Sequence, residues 1–279
     1  MVVRLPFITG AVDEAHKFLL LSDTHLDNPH CNRKLLTQHL EEAKAAGAGI
    51  LINGDLFCAM QGKGDKRHQK RALSSGQTRD DYINYIIEDA AAFFAPYVSN
   101  IVVVGYGNHE TALLERMEID LVELFLDKLQ LLTGVRPIRG GYGGWVFFRT
   151  NRESGEGTTS SRKTFKLFYH HGSGANNSRT KFNNRAIMHP DANIIWTGHV
   201  HKALWEPLSR RRVSDIGREY LDTQDHLVTG TYKDDHETDY LGWADKNEHK
   251  APFLGSWWVN FHWGGAAKRG AWYEIAMAQ

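Results

Sequence analysis

Five short apolar runs in this chain of 279 residues each end in a polar motif. Phe18-Leu19-Leu20-Leu21 leads into Asp23-Thr24-His25, Ile50-Leu51-Ile52 into Gly54-Asp55, and Ile101-Val102-Val103-Val104 into Gly107-Asn108-His109-Glu110. Leu167-Phe168-Tyr169 leads into His170-His171-Gly172, and Ile194-Ile195-Trp196 into Gly198-His199-Val200-His201. Short apolar runs closed by turn formers read as buried strands. Between the first three lie stretches of helical periodicity. One covers 32–46, with Leu35, Leu36 and Leu40 recurring and Gly47 as its stop. The other covers 80–94, with Tyr82, Ile83, Ile86, Ile87, Ala90 and Phe94 on one stripe and Pro96 closing it. A single long helix is expected over 113–132. Strands alternating with helices in this way pair in parallel, and the helices pack on the sheet faces.

After Gly134 the pattern changes. Strands at 145–150 and 164–169 flank a stretch rich in Gly, Ser and Thr, which reads as a hairpin with a long tip. Further strands are expected at 193–197, 227–232, 256–261 and 271–276. A parallel first half and an antiparallel second half suggest two packed sheets within one domain spanning 1–279. That domain carries a basic insertion at about 61–78 and an aromatic-rich C-terminal part at about 205–279. No internal repeat is present.

Lys plus Arg and Asp plus Glu both total 33, so no global charge draws the chain to nucleic acid or to an anionic membrane. Cys31 and Cys58 are too few for a disulfide framework. Arg4 and Lys17 are the basic residues before the first long apolar run, which is too short for a signal h-region, and no window approaches a bilayer span. A soluble, cytoplasmic protein with no membrane partner is expected.

In open α/β sheets, ligand sites gather beyond the carboxyl ends of the strands, where all five motifs sit. Asp23 and His25 stand two apart on an extended segment, and so can point to one side and chelate one ion. His199 and His201 have the same relation and could divide between two ions. Carboxylates, imidazoles and one amide oxygen suit Mn, Fe, Zn or Ni better than a soft-metal centre. Two such ions can clamp the attacking and leaving oxygens of an in-line displacement, which makes phosphoester hydrolysis the natural reaction. Asn108 adds an oxygen without a charge that would repel phosphate.

The order D-x-H, GD, GNHE, H and GHxH, spread over residues 23 to 201, resembles the calcineurin-like metallophosphoesterase superfamily. The resemblance implies a four-layer α-β-β-α sandwich in which two packed mixed sheets are flanked by helices. It implies two divalent metal ions, with Mn favoured. Asp23, His25 and His201 would hold the first, Asp55 would bridge, and Asn108, His171 and His199 would complete the second. His109 would contact the phosphoryl group or protonate the leaving oxygen. The fourth motif leaves His170 and His171 both open as its ligand, with His171 preferred because it directly precedes Gly172.

Within the superfamily, Ser22-Asp23-Thr24-His25-Leu26 is similar to the opening motif of double-strand-break repair nucleases, and 28–33 resembles phage and prophage members, which act in a bacterial cytoplasm. Basic groups follow three of the motifs: Lys63, Lys66, Arg67, Lys70 and Arg71, then Arg179, Lys181 and Arg185, then Arg210, Arg211 and Arg212. Each is either a solvated face or part of a positive rim for an extended polyanion. The leaning is therefore to phosphodiesters, nucleic acid included. A phosphomonoesterase and a catalytically silent binding module stand as alternatives, and oligomeric state is left open. Asp27, Asn28 and His30 either line the pocket or form an Asx turn before Pro29. Cys58 reads as a small buried hydrophobe. Trp257 and Trp258 fall on opposite faces of one strand and cannot share a layer of core.

Overall fold

The computed structural model describes residues 1–10, 15–59, 80–152, 162–174, 179–234, 253–263 and 271–278. The basic insertion at 61–78 lies outside them, as does the polar tip between the strands at 145–150 and 164–169. Two six-stranded mixed sheets pack face to face, with helices outside them. In the first sheet, β2 (Ala15–Leu21), β3 (Gly49–Ile52), β4 (Ile101–Val104) and β5 (Ile138–Arg139) run parallel. The second holds β1 (Val2–Gly10), β6 (Gly143–Arg152), β7 (Arg162–His170), β8 (Ile194–Thr197), β10 (Glu219–Val228) and β9 (Leu204–Val213), in that order across the sheet.

The second half is not antiparallel throughout, since β8 runs parallel to both β7 and β10, and it does not stay in one sheet. Its last two strands, β11 (Ser256–Trp263) and β12 (Ala271–Ala278), return to the first sheet, where β11 lies antiparallel to β2. The N-terminal strand β1 instead joins the second sheet, parallel to β6. Sequence periodicity overlooks β1 because its alternation breaks: Val3 and Leu5 face the core, then Ile8, with a register shift between Arg4 and Phe7. Pro6 sits at that shift, where a missing N–H is tolerated.

Strand alternation divides the apolar residues between two cores. Leu19, Leu21, Ile50 and Ile52 face the helices, while Leu20, Leu51 and Val103 face the second sheet. Phe148, Phe165, Leu167, Trp196, Trp257 and Phe261 fill the space between the sheets. Each such side chain contributes about 1.5–3 kcal/mol by leaving water. Trp257 and Trp258 separate as alternation requires, Trp257 into the inter-sheet core and Trp258 against the helix-side core.

The helix-side core is closed by α1 (Arg33–Ala45), α2 (Tyr82–Phe94), α3 (Asn108–Met117) and α4 (Leu121–Thr133). Asn32 caps α1 by accepting from the Leu35 N–H at 3.0 Å. The expected long helix over 113–132 is two helices. Glu118 enters the left-handed region at φ 56°, which closes α3, and the Asp120 side chain accepts from the Glu123 N–H to start α4. Because α3 begins at Asn108, its first turn lies inside the third motif. No helix among the described residues is long and apolar enough to cross a membrane.

On the outer face of the second sheet, α5 (Arg179–Met188) sets Phe182 edge-on to His226, 5.5 Å away. Gln224 donates to the carbonyls of His189 and Ala192, so its Oε1 faces His226 Nε2 at 3.0 Å. That leaves buried His226 Nδ1 with no partner among the described residues. Burial, reinforced by Arg185 and Arg210, pushes the imidazole down to about 4. The unfolded chain therefore binds the extra proton between pH 6.5 and about 4, so the stability present above that window is lost as pH falls through it. We expect a slope of up to about 1.4 kcal/mol per pH unit from this residue. From pH 7 to pH 5 the urea midpoint of wild type should fall further than that of His226→Phe. Parallel curves would refute the assignment.

Candidate metal centre

The loops leaving the carboxyl ends of β2, β3, β4, β7 and β8 are laced to one another by main-chain bonds. Asp23 N–H donates to Gly54 O at 3.1 Å, His25 N–H to Asp55 O at 3.0 Å, and Gly198 N–H to His171 O at 2.8 Å. The Asp23 carboxylate reaches across to accept from the His199 N–H at 3.0 Å, which joins the two sheets at their mouth. Tyr232 N–H and the Thr231 hydroxyl both donate to Asp23 O, at 3.0 and 2.8 Å.

Glycines set how closely these loops approach. A Cβ on Gly54 would lie 2.6 Å from Gly107 Cα, and one on Gly107 would lie 2.7 Å from Asp55 Cγ. Asp55 and the Asn108-His109 pair can meet because neither glycine carries a side chain.

Seven described non-glycine residues have positive φ, and five of them are ligand candidates: Asp23 (53°), His25 (44°), Asp55 (47°), His199 (74°) and His201 (53°). The sequence reading put Asp23 and His25 on one extended segment. They face one side, but through two left-handed residues rather than through strand alternation. Strain of this kind costs on the order of 1–3 kcal/mol per residue and is held by surrounding structure.

Two groups of candidate ligands result. Asp23, His25 and His201 offer ligand atoms within 4.8 Å of one another, and so do Asp55, His171 and His199. His201 Nε2 lies 3.4 Å from Asp23 Oδ1, and 3.3 Å from His25 Nε2. His171 Nε2 lies 3.2 Å from Asp55 Oδ2 and 3.9 Å from Asp23 Oδ1. Asp55 Oδ2 sits between the groups, 4.0 Å from His25 Nε2 and 3.9 Å from His109 Nε2. Asn108 Oδ1 approaches His199 Nδ1 at 2.7 Å. Of the two histidines left open, His171 faces the carboxylates, whereas His170 Nδ1 accepts from the Gly172 N–H.

The donor set fits cations. His171 Nδ1 meets Asn53 O at 2.8 Å, which aims Nε2 at the carboxylates. Burial would lower this imidazole, but Asp55 and Asp23 raise it to about 10, so a cation would take the place of the Nε2 proton. Buried Nε2 of His171 and Nδ1 of His25 have no hydrogen-bond partner among the described residues. Desolvation and the neighbouring His109 hold His25 well below the ordinary imidazole range, so it is neutral and ready to ligate. Burial would raise the Asp55 carboxyl, but His171, with His109, outweighs it and holds that carboxyl well below its usual range.

Sequence reading missed the support that Glu110 gives these residues and left open whether Asp27, Asn28 and His30 line the pocket or form an Asx turn. Glu110 accepts from Gly107 N–H at 2.8 Å, Phe57 N–H at 2.9 Å and Asp55 N–H at 3.1 Å, tying the second and third motifs together. Burial and the nearby Asp55 charge raise its carboxyl to about 7 against the pull of those N–H groups. A motif with Glu after His is the one signal that pointed to it. Asn28 Oδ1 accepts from the His30 N–H at 2.9 Å, which is the Asx turn. Asp27 accepts from Cys58 N–H, Ala59 N–H and the Tyr82 hydroxyl, so it holds the loop after Asp55.

The basic groups fare unevenly. Arg210 pairs with Asp222 on the β9–β10 hairpin through Nε at 2.8 Å and Nη2 at 3.0 Å, and Arg212 lies 3.6 Å from the same carboxylate. The hairpin thus engages both. Lys181 donates to Ser173 O at 2.8 Å and Arg185 to the Thr197 hydroxyl at 3.4 Å, near the His171 loop. Lys63, Lys66, Arg67, Lys70 and Arg71 lie outside the described residues.

The family model for calcineurin-like phosphoesterases matches residues 16–203, more than half of the chain. Among solved structures, a conserved uncharacterized protein described as a predicted phosphoesterase, from Streptococcus pneumoniae, is 12% identical, with 89% of this chain and 83% of that chain covered and a TM-score of 0.31. Vps29 complexed with zinc, from Entamoeba histolytica, is 12% identical, with 94% and 99% covered and a TM-score of 0.38. GAP50 of Plasmodium, described as the anchor in the inner membrane complex, is 9% identical, with 95% and 85% covered and a TM-score of 0.40. No curated protein matches the chain.

Proposed function

This chain belongs to the calcineurin-like phosphoesterase family, and we propose that within it the protein is a dinuclear, metal-dependent hydrolase that prefers phosphodiesters, nucleic acid among them. The observation that carries the reading is Asp55 Oδ2, set between the Asp23-His25-His201 group and its own group with His171 and His199. When bound, two divalent ions, with Mn favoured and Zn, Fe or Ni accepted by the same donors, supply Lewis acidity and an acidified water.

The chain's own residues hold and orient. Asp23, His25 and His201 form one binding group, and His171, His199 and Asn108 form the other, with Asp55 shared between them. His109 Nδ1 is anchored on Cys58 O at 2.6 Å, which turns Nε2 toward Asp55. From there the imidazole, when it carries both protons, can give the one on Nε2 to the leaving oxygen. Support for diesters comes from the Ser22 to Leu26 motif and from Lys181 and Arg185 beside the His171 loop.

The test is a panel of bis-aryl phosphate, mono-aryl phosphate and single- and double-stranded oligonucleotides, assayed with Mn, Ni, Zn and Mg. We expect kcat/KM for the diester to exceed that for the monoester at least tenfold, with cleavage of an oligonucleotide. A preference for the monoester would reverse the substrate class. Two bound ions with no turnover on any substrate would make the protein a binding module.

A further inference from the structure

A third group of ligand atoms overlaps the centre and shares His25 with the first group. His25, Cys58 and His109, all buried, each place a ligand atom within 4.8 Å of the other two. Tetrahedral coordination with metal–sulfur and metal–nitrogen bonds of about 2.3 and 2.1 Å sets ligand atoms about 3.5 Å apart, which small side-chain rotations reach from here. His109 keeps its Nδ1 proton on Cys58 O, so its lone pair is on Nε2. His25 Nδ1 is buried with no hydrogen-bond partner among the described residues. The Asn28 amide donates to Cys58 Sγ at 3.3 Å. Burial and the Asp27 carboxylate, which accepts from the Cys58 N–H, push the thiol up to about 12, so an ion must displace the Cys58 proton while the same negative charge attracts it.

We propose that His25, Cys58 and His109 form a thiophilic cation site, of the class that takes Zn²⁺ or Cu⁺, and that its occupation inhibits hydrolysis. On binding, the Cys58 thiol loses its proton to solvent and a sulfur–metal bond forms. No electron is transferred. A neutral imidazole has one lone pair, so His25 serves one cation at a time. A soft ion held by Cys58 therefore removes His25 from Asp23 and His201, and removes His109 from the phosphoryl group. Thiolate favours soft ions more strongly than the adjacent groups of one carboxylate and two imidazoles, although those also accept Zn²⁺. Binding stands apart from the hydrolytic reading, and the inhibition rests on it.

The probe is Cd²⁺. Chelator-stripped wild type is titrated with Cd²⁺ while the ultraviolet sulfur-to-cadmium charge-transfer band is followed. The same titration is run on Cys58→Ser, Cys58→Ala and Cys31→Ser. Separately, Cd²⁺ inhibition of Mn-dependent turnover is measured against each variant's own uninhibited rate. We expect a band that saturates at one equivalent in wild type and in Cys31→Ser and is absent from both Cys58 variants. We also expect at least tenfold more Cd²⁺ to be needed for half inhibition once Cys58 is replaced. No band in wild type, a band that survives Cys58 replacement, or equal inhibition of wild type and Cys58 variants overturns the proposal. If the protein proves inactive with Mn, the band still decides the binding site, so the two readings fail separately.

Discussion

Asp55→Asn is expected to lower metal-dependent turnover by about 10³-fold, the scale reached when a charge-stabilising group leaves an active site. Bound ions should fall from two to one. The side-chain volume is unchanged, and the Asn oxygen can still accept from the His109 N–H, which Asp55 Oδ1 does at 3.0 Å. What disappears is the negative charge at Oδ2, around which His171, His109 and His25 are arranged at 3.2, 3.9 and 4.0 Å. Calorimetric titration of the stripped protein with Mn gives the stoichiometry, and steady-state kinetics give the rate. An Asn variant that binds two ions and turns over within tenfold of wild type would show that Asp55 does not bridge.

The second large effect is on folding. Gly54→Ala and Gly107→Ala should each cost several kcal/mol, measured by urea denaturation of the metal-free protein. Gly54 carries two penalties: φ of +74° and a Cβ 2.6 Å from Gly107 Cα. Strain accounts for about 1–3 kcal/mol and overpacking for about as much again. Gly107 has ordinary φ, but its Cβ would fall 2.7 Å from Asp55 Cγ. Gly47 separates the two costs, because it has φ of +60° with nothing within 4 Å of a Cβ. Gly47→Ala should therefore lose about 1 kcal/mol, the backbone cost alone. If Gly54→Ala were no worse than Gly47→Ala, the close approach of the two loops would not limit the fold.

Much of the site was legible because its signal is local. Each ligand candidate sits at the end of an apolar run, and strand ends are where α/β sheets present side chains. Tertiary facts were less visible. Nothing near Ser256 says that its strand pairs with Leu20 rather than with the strands that precede it in the chain. The break between Met117 and Leu121 depends on one left-handed Glu118 and one capping Asp120, inside a stretch whose apolar spacing stays helical throughout. Arg210 looked available until Glu219–Val228 folded back beside it and brought Asp222 within reach. Glu110 gave no sign of two of its three main-chain partners, since Phe57 and Asp55 are far from it in sequence. His171 was preferred over His170 for its place before Gly172, but the side-chain direction that turns His171 and not His170 toward Asp55 is something a run of two histidines cannot convey.

The left-handed backbone under Asp23, His25, Asp55, His199 and His201 bears on how such a protein ages in a lineage. Asp and His tolerate that conformation better than most residues, and Gly adopts it without steric cost. At each of these five places a change to Gly would relieve the backbone and remove a candidate ligand at once. At Asp23 and Asp55 it would also take away the acceptor of the His199 and His109 N–H groups, which offsets the relief. A lineage freed from the chemistry is therefore expected to lose the imidazoles of His25 and His201 before those two carboxylates.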